Sequence, residues 1–535
     1  MKKYASILPL LLVAILYLPF LGNAFLSDDI PGITQSLPHF SWGMAFQYLA
    51  RLEVGWFIQF VTYKIFGMTP ITFRFLNIAA HAGSAFLLYA IVKKLVSPRV
   101  ALVACLLFAV HPIMAESVVW ISGGWYSWST TAFLLSFWLY LTSRERGKTG
   151  MFILSLLFFV LSFLISSKTV TLSFIYLASE WSRGTLRKNW KRVIPYIVLS
   201  FAFALFLASR VPERIETQTA ESYQSLSELY NPIYQVPYAV TSYFELIVWP
   251  ANLTLYHAGT PMSIPEYIVR AVMMALYLFA TVYALVKRRP IGFWLAWFLI
   301  ALAVVLTPLK INWIFAERYA YLASIGIYVS LAIAFDWVVS YTKFKSIVYL
   351  VGIVLVIALA TRTVVRNSEW RNEETLWIST VRHSPEVQNS WNNIGNLYSR
   401  RKDYEKAREA FSNAIQINPN YADAYHNLGN VLFLMGHKQE AVAHYEKALS
   451  INPKLWQSRR QLAYIAMDLN DYNTAIRLLW ESIGTNPDVV ELYIDLGSIY
   501  VFIGEKERAR DMLERARTID PGNPSLLILQ GSLSR

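Results

Sequence analysis

Long apolar segments constrain this 535-residue chain more than any other feature. A membrane-spanning helix needs about 20 predominantly apolar residues, and stretches of roughly that kind recur through the first 366 residues. The composition, 55% hydrophobic and 15% aromatic, is too apolar for a soluble protein of this length. We therefore predict an all-α polytopic membrane bundle of about 11 spans, which lie near 5–26, 74–96, 100–117, 120–142, 150–167, 169–182, 193–209, 266–286, 291–308, 319–340 and 346–363.

The charge of the chain is unevenly divided. Residues 1–366 hold 29 Lys and Arg against 14 Asp and Glu, whereas residues 367–535 hold 19 against 21. Basic clusters fall at every second connection between spans, which predicts a cytoplasmic N-terminus. Eleven crossings then place the chain after Arg366 on the outer side, in a bacterial inner membrane or its equivalent. The basic excess indicates topology and lipid head groups, so we expect no nucleic-acid partner.

Two short segments leave alternatives open. Residues 1–24 also fit a cleaved signal peptide, although the length of their apolar run favours an uncleaved span. The aromatic stretch 233–250 reads as interfacial or re-entrant, because a full crossing would break the alternation of basic connections. Cys105 is the only cysteine, which excludes a disulfide framework and a cysteine metal site.

A period of 34 residues governs the C-terminal part. It is carried by five prolines, Pro385, Pro419, Pro453, Pro487 and Pro521, with alanines and glycines in the same register. This period predicts a tetratricopeptide (TPR) solenoid. We therefore divide the chain into a membrane domain 1–366, a half-repeat connector 367–387, four repeats at 388–421, 422–455, 456–489 and 490–523, and a C-terminal cap 524–535.

Polar side chains recur on the predicted concave face of this solenoid. The sixth repeat positions are Asn393, Asn427, Gln461 and Asp495, and the ninth positions include Asn396 and Asn430. Amide side chains can pair with both the N–H and the C=O of an extended peptide. They predict a peptide-binding groove that tolerates varied sequence, with simple solvation of the groove as the alternative.

Asp28 and Asp29 follow directly on the first apolar segment. A carboxylate at the end of a membrane span costs free energy. When two carboxyl groups lie so close together, the pKa of one of them tends to rise. Such a pair suits a general base at a membrane surface. A helix N-cap or a solvated loop is the alternative, and the sequence does not decide which of the two would take a proton.

Several motifs carry a family resemblance. They are Phe25 through Ile30; Pro70 through Arg74 with Asn77 and His81; Phe108 through Pro112 followed by Glu116-Ser117-Val118 and Trp120 through Gly123; Ser167-Lys168; and Glu317 through Gly326. In this order, and with the TPR tail, the chain resembles the GT-C superfamily of polytopic glycosyltransferases. The similarity is strongest to transmembrane-and-TPR O-mannosyltransferase-like proteins and their bacterial relatives.

The resemblance implies an enzyme that moves a sugar from a polyprenyl-phosphate donor in the membrane to an acceptor hydroxyl on the outer face, with inversion. Asp28 or Asp29 would be the base, and Lys168, Arg318, Arg51 and Arg74 would bind the donor phosphate. Protein O-glycosylation, with the TPR array binding the acceptor, is the leading hypothesis. A lipid-linked glycan or envelope polysaccharide as acceptor, or a non-enzymatic TPR scaffold, remains the alternative.

His111 and Glu116 are predicted to orient the acceptor. They could also belong to a divalent metal site, but a histidine and one carboxylate are too few for a catalytic zinc, so no metal is expected to be required. The chain departs from the family at Thr169, where glutamate is usual, and after Glu116, where the family commonly has a second Gly-Arg pair and this chain has Gly123-Gly124-Trp125. These departures affect the identity of the sugar and the acceptor.

Overall fold

The computed structural model describes residues 7–210, 231–257, 262–306 and 316–533. Across these residues the backbone forms helices and turns without a β-strand, which confirms the predicted all-α class. The described residues up to Ser384 form one compact unit, and those from Pro385 onward form a second.

The first unit contains sixteen of the described α-helices. In chain order they are α1 Ile7–Tyr17, α2 Trp42–Ala50, α3 Val54–Phe66, α4 Pro70–Leu95, α5 Pro98–Val110, α6 Ala115–Val118, α7 Gly124–Arg146, α8 Thr149–Ile165, α9 Ser173–Ser182, α10 Leu186–Ser209, α11 Pro232–Val248, α12 Ile264–Val286, α13 Pro290–Leu302, α14 Ala320–Tyr341, α15 Lys345–Glu369 and α16 Glu373–His383. Short 3₁₀ turns lie at Leu18–Phe20, Leu37–His39, Pro112–Met114, Ser167–Leu172 and Glu317–Tyr319, and a π-helical turn lies at Ile30–Gln35.

The number of membrane-length helices is smaller than the predicted 11. Five described helices are long and apolar enough to span, namely α4, α10, α12, Glu317–Tyr341 and α15; the pair Pro98–Val110 and Pro112–Val118, bent by 58°, would add a sixth. The other predicted stretches form shorter or less apolar helices. For example, α8 has 17 residues, about 26 Å of helix, and the described part of α1 ends at Tyr17 before Pro19. The 11-span count and the sidedness therefore remain predictions.

Small polar residues join α7 and α8. Ser136 Oγ donates to the Ser155 carbonyl at 2.5 Å, and Ser155 Oγ donates to the Ser136 carbonyl at 2.6 Å. Such small hydroxyl residues let two helix backbones approach closely in an apolar environment. Around this pair, the rings of Phe137 and Tyr176 meet edge to face at 5.4 Å. The first unit is thus held by aromatic packing around a few buried hydroxyl groups.

The second unit consists of paired helices in the register that the 34-residue period predicts. The first helices of the four pairs are α17 Gln388–Arg400, α19 Ala422–Leu434, α21 Trp456–Asp468 and α23 Val490–Phe502; their partners are α18 Tyr404–Ile417, α20 Lys438–Ile451, α22 Tyr472–Thr485 and α24 Lys506–Ile519. A last helix, α25 Ser525–Leu533, buries Leu526 and Leu529 against the fourth pair. Helices therefore begin at the first residue of each predicted repeat.

The repeated glycines allow the two helices of a pair to touch. A Cβ atom at Gly429 would lie 2.7 Å from the ring of Tyr445, and one at Gly395 would lie 2.7 Å from the ring of Phe411. Both rings are buried. The repeated glycines are thus needed because a side chain at these positions would clash between α17 and α18 and between α19 and α20.

We predict that Gly429→Ala destabilises the TPR array by about 1–3 kcal/mol, because overpacking against Tyr445 outweighs the helix-propensity gain of about 1 kcal/mol. Gly484→Ala is the matched control, because a Cβ there meets no atom within 4 Å; it should leave stability equal or higher. Hydrogen exchange of the detergent-solubilised chain during urea unfolding measures both. Equal protection in the two variants would contradict the contact.

Candidate functional site

The two adjacent aspartates occupy different environments. Asp29 is fully buried, whereas Asp28 is exposed. The residue before them, Ser27, has a positive φ of 50°, and the π-helical turn Ile30–Gln35 follows. In this turn the carboxyl group of Asp29 faces inward and that of Asp28 lies at the surface.

The buried carboxylate of Asp29 is anchored to a segment far away in sequence. Its Oδ1 accepts hydrogen bonds from the backbone N–H and the hydroxyl of Ser122, at 2.8 and 2.5 Å, and its Oδ2 accepts from the N–H of Leu26 at 3.1 Å. Burial raises the pKa of Asp29 to about 6, although these hydrogen bonds and the charge of Arg74 act in the opposite direction. Asp29 therefore ties the acidic loop to the start of α7.

Arg74 on α4 completes that connection. Its Nε donates to the Val119 carbonyl at 2.6 Å, and its Nη atoms donate to the carbonyls of Leu21, Asn23 and Ala24 at 2.6, 2.7 and 3.0 Å. The side chain is fully buried. These four carbonyl contacts favour a structural role, so binding of the donor phosphate by Arg74 stays a prediction that this geometry does not support.

One turn further along α4, Asn77 holds the same segment. Its Nδ2 lies 3.1 Å from the Trp120 carbonyl and 3.3 Å from the Ile121 carbonyl. A Cβ at Gly124 would come within 1.9 Å of the Asn77 Oδ1, and one at Gly123 within 2.2 Å of the Glu116 carbonyl. The two glycines thus let the start of α7 lie directly against α4 and α6.

Glu116 and Arg318 form a buried ion pair. The Arg318 guanidinium contacts the Glu116 carboxylate through Nη1, and the backbone N–H of Arg318 donates to Glu116 Oε2 at 2.7 Å. The guanidinium also lies 5.6 Å from the ring of Trp120 and 5.1 Å from the ring of Tyr319. A cation held by both a carboxylate and two aromatic faces is fixed in direction.

A pocket opens beside this pair. It is lined by Tyr126, Ser129, Thr130, Lys168, Thr169, Ala301, Val305, Arg318, Tyr319 and Leu322. The Lys168 Nζ lies 5.5 Å from the ring of Tyr319, the same ring that Arg318 approaches. The structure therefore brings together Lys168 and Arg318, two of the four predicted phosphate ligands, and places Thr169 in the same wall.

Trp120 joins this pocket to the acidic loop. Its indole Nε1 donates to the Leu26 carbonyl at 3.3 Å, and its ring faces Arg318. Leu26 in turn donates its N–H to Asp29. One aromatic side chain thus touches both the carboxylate loop and the cation that faces the pocket.

Two predicted residues lie apart from this arrangement. Arg51 is exposed at the C-terminal end of α2 and does not line the pocket. His111 is buried, with Nδ1 accepting from the Ile113 N–H at 3.2 Å and Nε2 donating to the Ile247 carbonyl at 2.9 Å. Because both ring nitrogens have backbone partners, the geometry favours a structural role for His111 over acceptor orientation.

Glu116, the other predicted acceptor-orienting residue, has its carboxylate engaged by Arg318. Among the described residues, no three His, Cys, Asp or Glu side chains lie together in an arrangement that could hold a metal ion. Glu116 is therefore placed to position the cation of the pocket.

The predicted groove residues of the TPR unit form hydrogen bonds with one another. Asn427 Nδ2 donates to Asn392 Oδ1 at 2.9 Å across two repeats, and Asn430 Nδ2 lies 3.0 Å from the His426 ring. In the last two repeats, Arg460 contacts the Asp495 carboxylate. Asn393, Asn396 and Gln461 are half-buried on the same helices. Asn427, Asn430 and Asp495 thus bind neighbouring polar side chains, and peptide binding by this face stays a prediction.

Sequence reasoning missed several residues of the site. Ser122 was quoted in the motif Trp120 through Gly123, but its partnership with Asp29 could not be read from one sequence. Tyr126 and Tyr319 line the pocket without any charge that would mark them. Arg366 and Glu369 fall at the predicted boundary between the membrane domain 1–366 and the connector 367–387 and carry no predicted role, although Arg366 is buried and bound to Glu317 at 2.9 Å.

Three models of known protein families match parts of the chain. The family described as dolichyl-phosphate-mannose-protein mannosyltransferase matches residues 52–209, and two tetratricopeptide repeat families match residues 386–454 and 466–533. The mannosyltransferase match contains Arg74, Glu116 and Lys168. Asp28, Asp29 and Arg318 lie outside it.

Several proteins similar to this chain are named protein O-mannosyl-transferases. Protein O-mannosyl-transferase TMTC3 of Mus musculus is 23% identical over 401 residues, which are 67% of this chain and 43% of that protein. Protein O-mannosyl-transferase F38B6.6 of Caenorhabditis elegans is 25% identical over 429 residues, which are 75% of this chain and 61% of that protein. The chain thus spans less than two thirds of the length of these relatives. Among solved structures, that of MamA is 18% identical, covers 27% of this chain and 85% of its own, and has a TM-score of 0.25.

The helical fold and these matches define the class: a domain similar to the dolichyl-phosphate-mannose-protein mannosyltransferase family, followed by TPR repeats. Within that class, the chain is similar to the TMTC protein O-mannosyl-transferases, and the resemblance predicted from its motifs is confirmed.

The raised pKa of Asp29 has a consequence for stability. From its ordinary value of 3.8 it rises to about 6 on folding, so the folded state holds this proton more tightly than the unfolded chain does. The stabilisation is therefore full below about pH 4 and is lost as the pH rises to about 6, on the order of 3 kcal/mol. Asp29→Asn should flatten this dependence in thermal unfolding of the detergent-solubilised chain between pH 4 and 7.

Asp28→Asn is the matched control, because its side chain is exposed and its neighbour stays intact. It should keep the wild-type slope of unfolding temperature against pH. If Asp29→Asn kept that slope as well, another group would be responsible for it.

Proposed function

We propose that this chain transfers a mannosyl residue from a polyprenyl-phosphate donor in the membrane to a hydroxyl group of a protein. The observation that carries the proposal is the linkage through Trp120, which contacts both the loop of Asp28 and Asp29 and the cation Arg318 of the pocket. A general base and a phosphate-binding cation joined by one rigid ring are the two groups that such a transfer needs. The names of the matched family and relatives support mannose as the sugar.

Asp28 is the base in this proposal. It is exposed, so an acceptor hydroxyl can come within hydrogen-bond distance of its carboxylate. Asp29 has no exposed surface, and its carboxylate is occupied by Ser122 and Leu26. Its role is to hold the loop so that Asp28 faces the substrate.

Lys168 and Arg318 bind the phosphate of the donor. In the transition state the bond between the anomeric carbon and the phosphate oxygen breaks, and negative charge grows on the leaving phosphate. Fixed cations in a site shielded from water stabilise this charge by several kcal/mol. The aromatic walls Tyr126 and Tyr319 exclude water from the same place, and Glu116 keeps Arg318 pointed at it.

The TPR unit binds the acceptor in this proposal, on the outer side of the membrane together with the pocket. Its amide ladder, which includes Asn392, Asn427 and Asn430, can pair with the backbone of an extended peptide. The TPR matches support a partner that is a protein or peptide. The division into a membrane domain 1–366, a half-repeat connector and a four-repeat array is part of the same proposal.

Asp28→Asn should lower transfer at least 100-fold, since a positioned general base contributes about 10²–10⁴ in rate, while protein level and thermal stability stay unchanged. The measurement is the intact mass of co-expressed envelope proteins, in which a hexose shift appears only with the active chain. Asp29→Asn should reduce transfer less than Asp28→Asn, because its amide can still accept from Ser122. Full activity of Asp28→Asn would overturn the assignment of the base.

Removing residues 385–535 separates the possible acceptors. The cut lies at the boundary between the two compact units. Transfer to a folded protein should fall at least tenfold, because tethering of the acceptor raises its local concentration, whereas transfer to a short Ser/Thr peptide at saturating concentration should persist.

A milder variant, Asn427→Ala with Asn430→Ala, should raise the KM for the protein acceptor without changing kcat. Undiminished transfer by the truncated chain, found on a lipid-linked glycan and not on protein, would instead favour the polysaccharide alternative.

A further inference from the structure

The last turn of α15 and Trp370, which follows it, contact residues that surround the candidate site. Arg366 Nη2 binds Glu317 Oε1 at 2.9 Å, and Arg366 Nη1 binds Glu369 Oε2 at 2.6 Å. Trp370 stacks on Trp120 with ring centroids 5.9 Å apart. Arg366 and Trp370 are both fully buried. Neither residue lines the pocket.

Each partner of this turn is the neighbour of a site residue. Glu317 directly precedes Arg318, the cation of the pocket. Trp120 faces Arg318 on one side and donates to the Leu26 carbonyl of the acidic loop on the other. The acidic loop is also bound directly, because the Ala24 N–H donates to the Arg371 carbonyl at 3.0 Å.

Asn367 adds a further link on the same turn. Its carbonyl accepts from Asn23 Nδ2 at 3.3 Å, and its own Nδ2 donates to the Leu16 carbonyl at 2.9 Å. The loop at Leu21 to Ala24, which Arg74 also binds, is thus fastened to α15 at Asn23, and the end of α1 is fastened at Leu16. One helical turn therefore contacts both the chain that leads into the acidic loop and the neighbours of Arg318.

The electrostatics of this turn point to positioning more than to stability. Burying Arg366 with two carboxylates has a desolvation penalty that apolar residues of similar volume would avoid. Arg366 Nε and Glu317 Oε2 have no hydrogen-bond partner in the described part of the chain, so the cluster is not the most stable way to fill the space. What the ion pair does provide is a fixed direction for residues 317 and 318.

We propose that Arg366 and Trp370 are positioning residues for the transfer reaction, holding Glu317 and Trp120 and thereby setting Arg318 and the Asp28 loop relative to each other. This inference rests on the proposed function. Displacing a reacting group by about 1 Å can cost about 100-fold in rate, and a displaced Arg318 stabilises the transition state less well. We expect the effect on kcat, because the base and Arg318 act on charges that develop only in the transition state.

Trp370 permits a clean pair of variants. Its Nε1 has no hydrogen-bond partner among the described residues, so Trp370→Phe keeps an aromatic ring against Trp120 and removes no hydrogen bond. Trp370→Leu removes the ring. Arg366→Lys keeps the charge and loses the planar fork that holds Glu317 and Glu369 together.

The experiment measures kcat and KM of the full detergent-solubilised chain with a synthetic polyprenyl-phosphate mannose and a Ser/Thr peptide. Trp370→Leu and Arg366→Lys should lower kcat at least tenfold per folded molecule, with the peptide KM within twofold of wild type. Trp370→Phe should stay within twofold in both. Trp294→Leu is the matched control, since Trp294 is equally buried but packs on Phe293 and Trp297; it should lower the unfolding temperature and leave kcat unchanged.

The outcomes distinguish failure of the positioning role from failure of the proposed function. Wild-type transfer together with wild-type kcat in both Trp370→Leu and Arg366→Lys overturns the positioning role alone. A loss that Trp294→Leu reproduces, or that Trp370→Phe does not rescue, also overturns it. Absence of transfer by the wild-type chain overturns the proposed function, and the positioning role with it. If Trp370→Leu fails to fold, Arg366→Lys and Trp370→Phe decide the question.

Discussion

The guanidinium of Arg74 is the contact on which the rest of the first unit's site depends. A buried arginine must satisfy its donors within the protein, because it cannot lose its proton. Here four backbone carbonyls do so, three from the loop after α1 and one from the segment before α7. Two chain segments that are about a hundred residues apart are therefore held against one planar group, and Asp29, Ser122 and Trp120 follow from that juxtaposition.

Two charged residues that are adjacent in sequence, Glu317 and Arg318, bind different partners. Glu317 binds Arg366, whereas Arg318 binds Glu116. Each pair compensates a charge that would otherwise be isolated in a medium of low polarity. This pairing leaves the face of Arg318 toward Tyr319 and the pocket, together with Lys168. Lys168 and Arg318, the proposed phosphate ligands, thus face the pocket, whereas Arg366 does not line it.

Periodicity and residue type made the fold predictable. The site was less predictable, because its side chains depend on contacts with residues far away in sequence. The 34-residue period placed the repeat helices, because their packing is local and repeats with the sequence. The span count rested on hydropathy alone, which does not show where Pro19 ends α1 or where α5 bends. Arg74 and Arg318 have the same charge and similar flanking motifs; only the carbonyls around Arg74 reveal that its donors are used. Asp28 and Asp29 are identical in type, and only the structure shows that Asp28 is exposed whereas Asp29 is buried against Ser122.

The amide ladder of the TPR unit has a kinetic consequence. Asn427 already binds Asn392, and Asn430 already lies against His426, so a peptide that enters the groove exchanges hydrogen bonds and gains little net energy from each. Affinity built from such exchanges is modest and dissociation is fast. If this groove binds the acceptor as we propose, it releases a modified chain readily and engages the next segment, so that many sequences bind repeatedly and none is held tightly.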